Sequence, residues 1–325
     1  MSVVSCLSIV LLCLRSVTGA KVTPPPDVEQ LIEFADFASI AYCVNKNLDT
    51  GPLKTSCSKP FCKAHEKVEI VKMFDFNESR HLGQGFYALD HEKKRVILTF
   101  RGTSSYIDWL QDFDIVQVPY QTITPTAKEN KCKDCKVHRG FHKFVTSNCD
   151  SIVKDVKQLL VLNPNYDLVI IGHSLGGALA HLTGLEFQVM GYHPLVVTFG
   201  EPMVGNWQFA EFSNSQFQMV NVADTISSNS ALTGGHIRVV HINDPVPHQP
   251  LLPSYSYCGY EYFINKDSFP HGARNIERKG IKTGSSLFSS TSTWNPSKLI
   301  PENPISAAHR NYFRRITGCL DEYSQ

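Results

Sequence analysis

The chain has 325 residues, of which 42% are hydrophobic and 19% charged, and its formal net charge is +1 at pH 7. This composition is typical of a globular protein, and the length allows one large core or two smaller ones. The near-neutral charge argues against nucleic acid as a partner, because phosphate binding normally shows as a basic excess or patch.

The amino terminus has the pattern of a secretion signal. Residues 3–14 are almost wholly apolar but too short to span a bilayer, and the small residues of Thr18-Gly19-Ala20 follow them, although the usual preceding positive charge is missing. No other segment approaches transmembrane length. We therefore expect a signal peptide over residues 1–20, a single secreted domain over residues 21–325 and no transmembrane anchor.

The cysteines also indicate an extracellular, oxidising compartment. Eight of the ten remain after removal of the signal, and an even number is typical of paired cysteines. Two close pairs, Cys57 with Cys62 and Cys132 with Cys135, predict local disulfides on loops. The second pair could instead be half of a zinc site or a redox motif. No further Cys/His pair lies at zinc-finger spacing, so we predict a disulfide there and no metal.

Apolar periodicity predicts helices alternating with strands, which favours a mainly parallel sheet flanked by helices in one domain. The predicted elements in chain order are a helix at 28–42, strands at 68–74, 85–89 and 96–100, a helix at 151–162, a strand at 167–171, a helix at 178–190, and strands at 195–199 and 237–242. Residues 274–304 are polar and rich in Ser, Thr, Lys and Pro, which predicts a long surface excursion. The sequon at Asn77 predicts a glycan on a surface loop.

The most informative motif follows the strand predicted at 167–171. Residues 172–177 read Gly-His-Ser-Leu-Gly-Gly, the nucleophile-elbow pattern of the α/β-hydrolases. In such an elbow the glycines avoid collisions with neighbouring elements, and the hydroxyl of Ser174 stands above the sheet edge. A glycine-rich packing turn would carry the same letters, but the flanking strand and helix favour a nucleophilic Ser174. We expect the adjacent His173 to pack or hydrogen-bond near the turn.

A nucleophilic serine needs a histidine base and a carboxylate, which in this fold follow it in the order Asp or Glu, then His. Asp244 directly follows the strand predicted at 237–242 and is the favoured acid. His309 lies beyond the last predicted strand and is the favoured base. Chain order alone leaves alternatives open, namely Asp224 and Asp267 for the acid and His248 and His271 for the base.

Acyl transfer also needs N–H donors for the developing oxyanion. The backbone N–H of Leu175 directly follows the nucleophile and can supply one of them. Thr103 follows the strand predicted at 96–100 and lies where the second donor is expected. Thr103 could equally begin the next helix, and both roles are compatible.

The segment after Thr103 carries an apolar stripe. Tyr106, Trp109, Leu110 and Phe113 fall at i, i+3, i+4 and i+7, which predicts a short amphipathic helix. Its apolar face could pack into the core, or the helix could form a lid that covers the serine when closed and contacts lipid when open. Trp109 favours the lid, because an esterase for soluble esters would carry a more polar segment.

These motifs together resemble the fungal class 3 triacylglycerol lipases, especially their secreted yeast branch. The resemblance runs from about Val28 to Leu320. The blocks that carry it are residues 99–105, 137–141, 172–177, 197–202, 204–206 and 244–247, and His309 with Tyr312 and Phe313.

The resemblance implies an α/β-hydrolase fold with a short helical lid and a catalytic triad of Ser174, Asp244 and His309. It also implies that Thr103 supplies both its N–H and its hydroxyl to the oxyanion. An aspartate at the position of Asp112 can orient this hydroxyl when the site is open.

The resemblance also bears on the remaining cysteines. In the yeast branch, a cysteine like Cys43 pairs with one near the carboxyl terminus, here Cys319. Cys258 lacks the partner that the branch has shortly downstream. It therefore either pairs with Cys149, or both cysteines remain free.

The expected function is hydrolysis of triacylglycerol esters to fatty acids at a lipid–water interface. The reaction proceeds through an acyl-enzyme and needs no metal or organic cofactor. We expect a secreted monomer whose partners are the lipid ester and its interface. An esterase or phospholipase A1 acting on feruloyl esters, other esters or phospholipids is the alternative on the same fold. A catalytically inactive secreted binding protein is a further alternative, against which the three triad residues argue.

Overall fold

The computed structural model describes residues 24–45, 48–77, 82–103, 115–123, 132–284 and 307–320. The strands in these ranges are β1 (Gly51–Pro52), β2 (Val68–Asn77), β3 (Leu82–Asp90), β4 (Arg95–Phe100), β5 (Gln117–Pro119), β6 (Lys136–His138), β7 (Asp167–His173), β8 (Leu195–Phe199), β9 (Gly235–His241), β10 (Tyr260–Ile264), β11 (Ile276–Ile281), β12 (Asn311–Tyr312) and β13 (Arg314–Arg315). The α-helices are α1 (Pro26–Ala41), α2 (Leu53–Ser56), α3 (Arg139–Leu162), α4 (Leu175–Val189), α5 (Trp207–Gln216), α6 (Met219–Ser227) and α7 (Ala307–Arg310). Short 3₁₀ turns lie at Pro60–Ala64, Val246–His248 and Ala273–Asn275.

A nine-stranded mixed sheet forms the centre, in the order β1-β2-β3-β4-β7-β8-β9-β10-β11. Strands β4, β7, β8, β9 and β10 run parallel, whereas β1 to β3 and β11 pair antiparallel. Phe100 of β4 lies opposite Gly172 of β7, and His173 lies opposite Phe199 of β8. The carboxyl ends of the parallel strands therefore meet at one edge of the sheet, where α/β proteins place their sites. This architecture confirms the predicted α/β-hydrolase fold.

The parallel strands are nearly continuous apolar runs because helices cover the sheet. Residues 168–171 of β7 and all of β8 are buried. Helices α1 and α4 each pack along β4, β7 and β8. No helix in the described ranges is both long and apolar enough to cross a membrane.

Helices α3 and α4 both begin earlier than the periodicity predicts. Helix α3 begins at Arg139 rather than 151, because the side chain of His138 caps it by accepting a hydrogen bond from the N–H of Phe141 at 3.3 Å. Helix α4 begins at Leu175 rather than 178, directly after Ser174. Glycines at 176 and 177 lower intrinsic helix propensity, but tertiary packing overrides that preference here.

The surface excursion predicted at 274–304 is wrong over its first part, since Ile276–Ile281 forms β11 against β10. Residues 285–306 lie outside the described ranges. Strand β10 was not predicted, although its alternating burial reflects a period of two. Asn77 ends β2, but the rest of its sequon is outside the described residues, so glycosylation stays a prediction.

Three disulfides link Cys43 to Cys319, Cys57 to Cys62 and Cys132 to Cys135. Cys149 and Cys258 are free and buried, so the alternative in which they pair is wrong. The Cys43–Cys319 bridge spans 276 residues and joins the end of α1 to the carboxyl-terminal segment that carries α7. An ion pair between Asp36 of α1 and Arg314 supports the same junction.

Removing the long-range bridge is expected to destabilise the protein more than removing a local one. The C43S/C319S double variant should lose about 2–5 kcal/mol of unfolding free energy, because a long loop is released in the unfolded state. The matched C57S/C62S variant, whose cysteines are 5 residues apart, should lose less. Urea unfolding of the oxidised proteins measures both, and an equal or larger loss in C57S/C62S would contradict this account.

Candidate active site

The site is built around the sharp turn that joins β7 to α4. Ser174 lies in this turn with φ 58° and ψ −129°, a backbone conformation that is strained for a residue with a side chain. Its N–H donates to the carbonyl of Phe199 at 2.9 Å, which ties the turn to the end of β8. The serine therefore occupies the strained elbow that its motif predicts.

The glycines of the motif are required because the backbone segments approach closely. A Cβ on Gly172 would lie 2.0 Å from the carbonyl oxygen of Gly176, and one on Gly176 would lie 2.4 Å from the carbonyl oxygen of Phe100. Real Cβ atoms essentially never come this near to other heavy atoms, so larger residues would push α4 away from the sheet.

The structure brings Ser174, Asp244 and His309 together in hydrogen-bonding order. Ser174 Oγ lies 2.9 Å from His309 Nε2. Nδ1 of the same imidazole lies 2.9 Å from Asp244 Oδ2 and 3.1 Å from Oδ1. All three side chains are buried. A histidine in this position can take the serine proton while the carboxylate holds its tautomer.

Asp244 is held as a carboxylate by the donors around it. Its oxygens accept the N–H of Val246 at 2.9 Å and the hydroxyl of Tyr312, in addition to His309. Burial opposes ionisation, but His309, Tyr312 and the N–H of Val246 keep the pKa of Asp244 below its usual value. The carboxyl group of Asp244 therefore stays charged at neutral pH.

His173 holds the backbone of His309 in place through a hydrogen bond. Its Nε2–H donates to the carbonyl of His309 at 2.8 Å, and its Nδ1 accepts the hydroxyl of Tyr42 at 2.6 Å. Burial and the neighbouring His309 lower the pKa of His173 to about 3, so its ring stays neutral. His173 thus hydrogen-bonds at the turn as expected, and it also links the elbow to α7.

Gly200, directly after β8, leaves the space that the Asp244 carboxylate occupies. It has φ +60°, and a Cβ there would lie 2.9 Å from both Asp244 Oδ2 and the Tyr312 hydroxyl. Its N–H donates to the carbonyl of Val239 at 3.0 Å. Any side chain at this position would displace the carboxylate or the tyrosine.

Two candidate oxyanion donors lie next to the serine. Leu175 is the first residue of α4, where backbone N–H groups have no partner within the helix. The loop after β4 passes against the elbow, because a Cβ on Gly102 would lie 2.9 Å from Ser174 Cβ. Thr103 follows in this loop and is partly exposed.

The alternative acids are exposed, and the alternative bases are hydrogen-bonded to other groups. Asp224 and Asp267 are exposed on α6 and on the loop after β10. His248 Nδ1 pairs with the hydroxyl of Tyr257 at 2.6 Å, and His271 Nδ1 accepts the N–H of Phe313 at 3.1 Å. The residues of the predicted lid, Tyr106, Trp109, Leu110, Asp112 and Phe113, lie outside the described ranges.

The contacts that sequence reasoning missed are those of Tyr312 and Gly200 with Asp244 and that of Tyr42 with His173. The only sequence signal for Tyr312 is its place in the block around His309. The only one for Gly200 is its place in the block at residues 197–202. Tyr42 carried no signal, because it lies on a distant helix end and meets His173 only through the tertiary fold.

Comparisons with known proteins agree with this fold. The family model for lipase (class 3) matches residues 97–253. The protein named "Putative lipase LIH1" from Saccharomyces cerevisiae is 32% identical over 315 residues, covering 90% of this chain and 94% of its own. Secreted mono- and diacylglycerol lipase A from Penicillium cyclopium is 32% identical over 214 residues, covering 65% of this chain and 62% of its own. Among solved structures, Lip2 lipase from Yarrowia lipolytica superposes with a TM-score of 0.74 at 26% identity, covering 89% of this chain and 94% of that one.

The fold and the elbow define an α/β-hydrolase. Within that class, the chain belongs to the class 3 lipase family and is a carboxylic ester hydrolase.

The space at Gly200 makes a specific prediction. Gly200→Ala should lower ester hydrolysis by about 100-fold, because a shift of the acid misplaces His309. Gly191→Ala is the matched control, since Gly191 also has positive φ (+87°) but nothing lies within 4 Å of its Cβ position. Both variants should lose about 1–2 kcal/mol of stability through backbone strain. Steady-state kinetics and urea unfolding separate the two effects, and equal activity in both variants would refute the steric role.

Proposed function

We propose that this lipase hydrolyses acylglycerol esters through an acyl-enzyme formed on Ser174, with His309 as general base and Asp244 as its carboxylate partner. The observation that carries the proposal is the unbroken path from Ser174 Oγ to His309 Nε2 and from His309 Nδ1 to Asp244, each step 2.9 Å long. A serine hydroxyl is a poor nucleophile at neutral pH, and this path supplies the base that activates it.

In the first half-reaction, His309 Nε2 takes the proton of Ser174 as Oγ attacks the ester carbonyl. The N–H groups of Leu175 and Thr103, with the Thr103 hydroxyl, donate to the oxyanion that forms. His309 then gives the proton to the departing alcohol oxygen, which leaves an acyl-serine. Water repeats the sequence in the second half-reaction, so that fatty acid leaves and Ser174 regains its proton.

Replacement of the nucleophile tests this assignment. Ser174→Ala should reduce hydrolysis of emulsified triolein and of a short-chain soluble ester by about 10⁴-fold or more, and it should abolish labelling by a fluorophosphonate. Ser39→Ala is the control, since Ser39 is a buried serine on α1 whose hydroxyl donates to the carbonyl of Ala35. Full esterase activity in purified Ser174→Ala protein would exclude Ser174 as the nucleophile.

The lipid interface is the second part of the proposal. The apolar stripe in residues 104–113 is suited to cover the site in water and to contact lipid at an interface. Ile115 and Val116, which come soon after this segment in the chain, are 44% and 47% exposed, so apolar side chains are accessible there. The names of the relatives point to acylglycerol substrates. A panel of triolein, diolein, phosphatidylcholine and a feruloyl ester distinguishes lipase from phospholipase A1 and soluble-ester esterase.

Trp109 is expected to contact the lipid interface and to take no part in the chemical steps. Trp109→Asp should lower hydrolysis of triolein droplets about tenfold or more, because it removes a large apolar contact with the interface. Its activity on a monomeric short-chain ester should change little. Trp207→Asp, which alters an exposed tryptophan on α5, is the control. Equal losses on both substrates for Trp109→Asp would contradict an interfacial role.

We further propose that the protein is secreted after removal of residues 1–20. The apolar run at 3–14 and the small residues before Lys21 support this, as do the three disulfides of the domain. Relatives from Penicillium carry the word secreted in their names. Mass spectrometry of the amino terminus from culture medium tests the cleavage site.

A further inference from the structure

A second buried polar cluster lies beside the catalytic centre and takes no part in the mechanism. It comprises His181 on α4, Glu201 after β8, His236 on β9 and Cys258 before β10. These side chains are almost completely buried, with at most 5% of any residue exposed. Four polar groups from four separate elements thus meet inside the fold, where each needs a partner to offset its lost hydration.

Glu201 determines which nitrogen of each imidazole carries the proton. Its Oε1 accepts from His181 Nδ1–H at 2.9 Å, and its Oε2 accepts from His236 Nε2–H at 2.9 Å. The hydroxyl of Thr198 also donates to Oε2, at 2.6 Å. When both rings are neutral and these N–H groups point at the carboxylate, the lone pairs lie on His181 Nε2, which the Ser213 hydroxyl meets at 2.8 Å, and on His236 Nδ1.

These two nitrogens lie on the side of Cys258. His181 Nε2 is 3.8 Å from Cys258 Sγ, and one ring nitrogen of each histidine lies within 4.8 Å of the sulfur and of the other histidine. His236 Nδ1 is buried and makes no hydrogen bond with any described residue. A Cβ on Gly259, the residue after Cys258, would lie 2.7 Å from this nitrogen, so the nitrogen faces the turn that carries the thiol.

We propose that His181, His236 and Cys258 bind one divalent metal ion of the zinc class, with Glu201 orienting both histidines. Imidazole nitrogen and thiolate sulfur are the ligands that zinc prefers, and a carboxylate that accepts the second N–H of a ligating histidine is the usual support for such a site. The hydroxyl of Ser213, 2.8 Å from His181 Nε2, lies within reach as a fourth donor.

Charge also favours such an ion. A doubly charged cation would balance the Glu201 carboxylate and a Cys258 thiolate in a region with little water. The two imidazoles stack with centroids 3.9 Å apart, so coordination by both requires one ring to turn about its hydrogen bond to Glu201.

The ion would have a structural role. It would join α4, β9 and the turn before β10 to the loop that contains Gly200, the residue that packs against Asp244. Because the ligands are buried, the ion would enter as the chain folds rather than exchange with solvent afterwards. The ligand spacing is unlike that of zinc fingers, so a search for short motifs in the sequence does not find this site.

Metal content of the full chain tests the proposal. The protein is expressed through a secretory pathway in medium that contains zinc, or cobalt(II) in its place, and is then gel-filtered with EDTA to remove surface ions. The variants are Cys258→Ser and His236→Leu. The matched control is Cys149→Ser, which removes the other buried free thiol, on α3. Fluorophosphonate labelling of Ser174 shows that each variant is folded.

We expect about one zinc ion per chain in the wild type and in Cys149→Ser, and less than about a tenth of that in the two ligand variants. The cobalt form should show sulfur-to-metal charge-transfer absorption, which Cys258→Ser loses. This spectrum identifies the thiolate ligand in the wild type itself, so the test does not depend on the folding of a variant. Wild-type protein without zinc or cobalt, or with the same content as Cys258→Ser, would overturn the proposal. Because Ser174 labelling is read separately, failure of the metal site leaves the hydrolase assignment untouched.

Discussion

The hydrogen bond from His173 Nε2–H to the backbone carbonyl of His309 connects two parts of the chain that are far apart in the sequence. His309 lies on α7, a helix of 4 residues near the carboxyl end, whereas Ser174 lies in the turn between β7 and α4. A short helix has little stability of its own, so its position depends on tertiary contacts. Burial keeps the pKa of His173 low and the ring neutral, so that Nε2–H donates to this carbonyl while Nδ1 accepts the hydroxyl of Tyr42.

His173 also links His309 to the loop that carries Thr103. The Tyr42 hydroxyl bonds to His173, and the guanidinium of Arg101 lies 5.7 Å from the centre of the Tyr42 ring. Arg101 directly precedes Gly102, whose backbone touches the elbow. Tyr42 is also next to Cys43, which the disulfide joins to the carboxyl-terminal segment. Ser174, His309 and the loop that carries Thr103 therefore share one buried network around the end of α1.

The turn after β8, which contains Gly200 and Glu201, serves two purposes. Gly200 leaves room for Asp244 and Tyr312, and Glu201 turns away into the histidine and cysteine cluster. Both carboxylates are buried, and both have pKa values below their usual range because donors surround them. Gly200 leaves space for the buried carboxylate of Asp244, and its neighbour Glu201 is itself a buried carboxylate. Each carboxylate accepts hydrogen bonds from other parts of the chain.

The sequence by itself determined the fold class and the short-range disulfides, and it predicted Ser174 as the nucleophile. These follow from local patterns, since an elbow needs a strand, a tight glycine turn and a helix in succession, and close cysteines bridge readily. Chain order narrowed the acid and base to a few residues but could not choose among them, and the family resemblance made that choice. Only the tertiary structure decided which side chains meet, because strand register and loop course bring Asp244, His309, Tyr42 and Gly200 to one place. The cluster of His181, Glu201, His236 and Cys258 depends on the same long-range geometry, so no local pattern in the sequence predicts it.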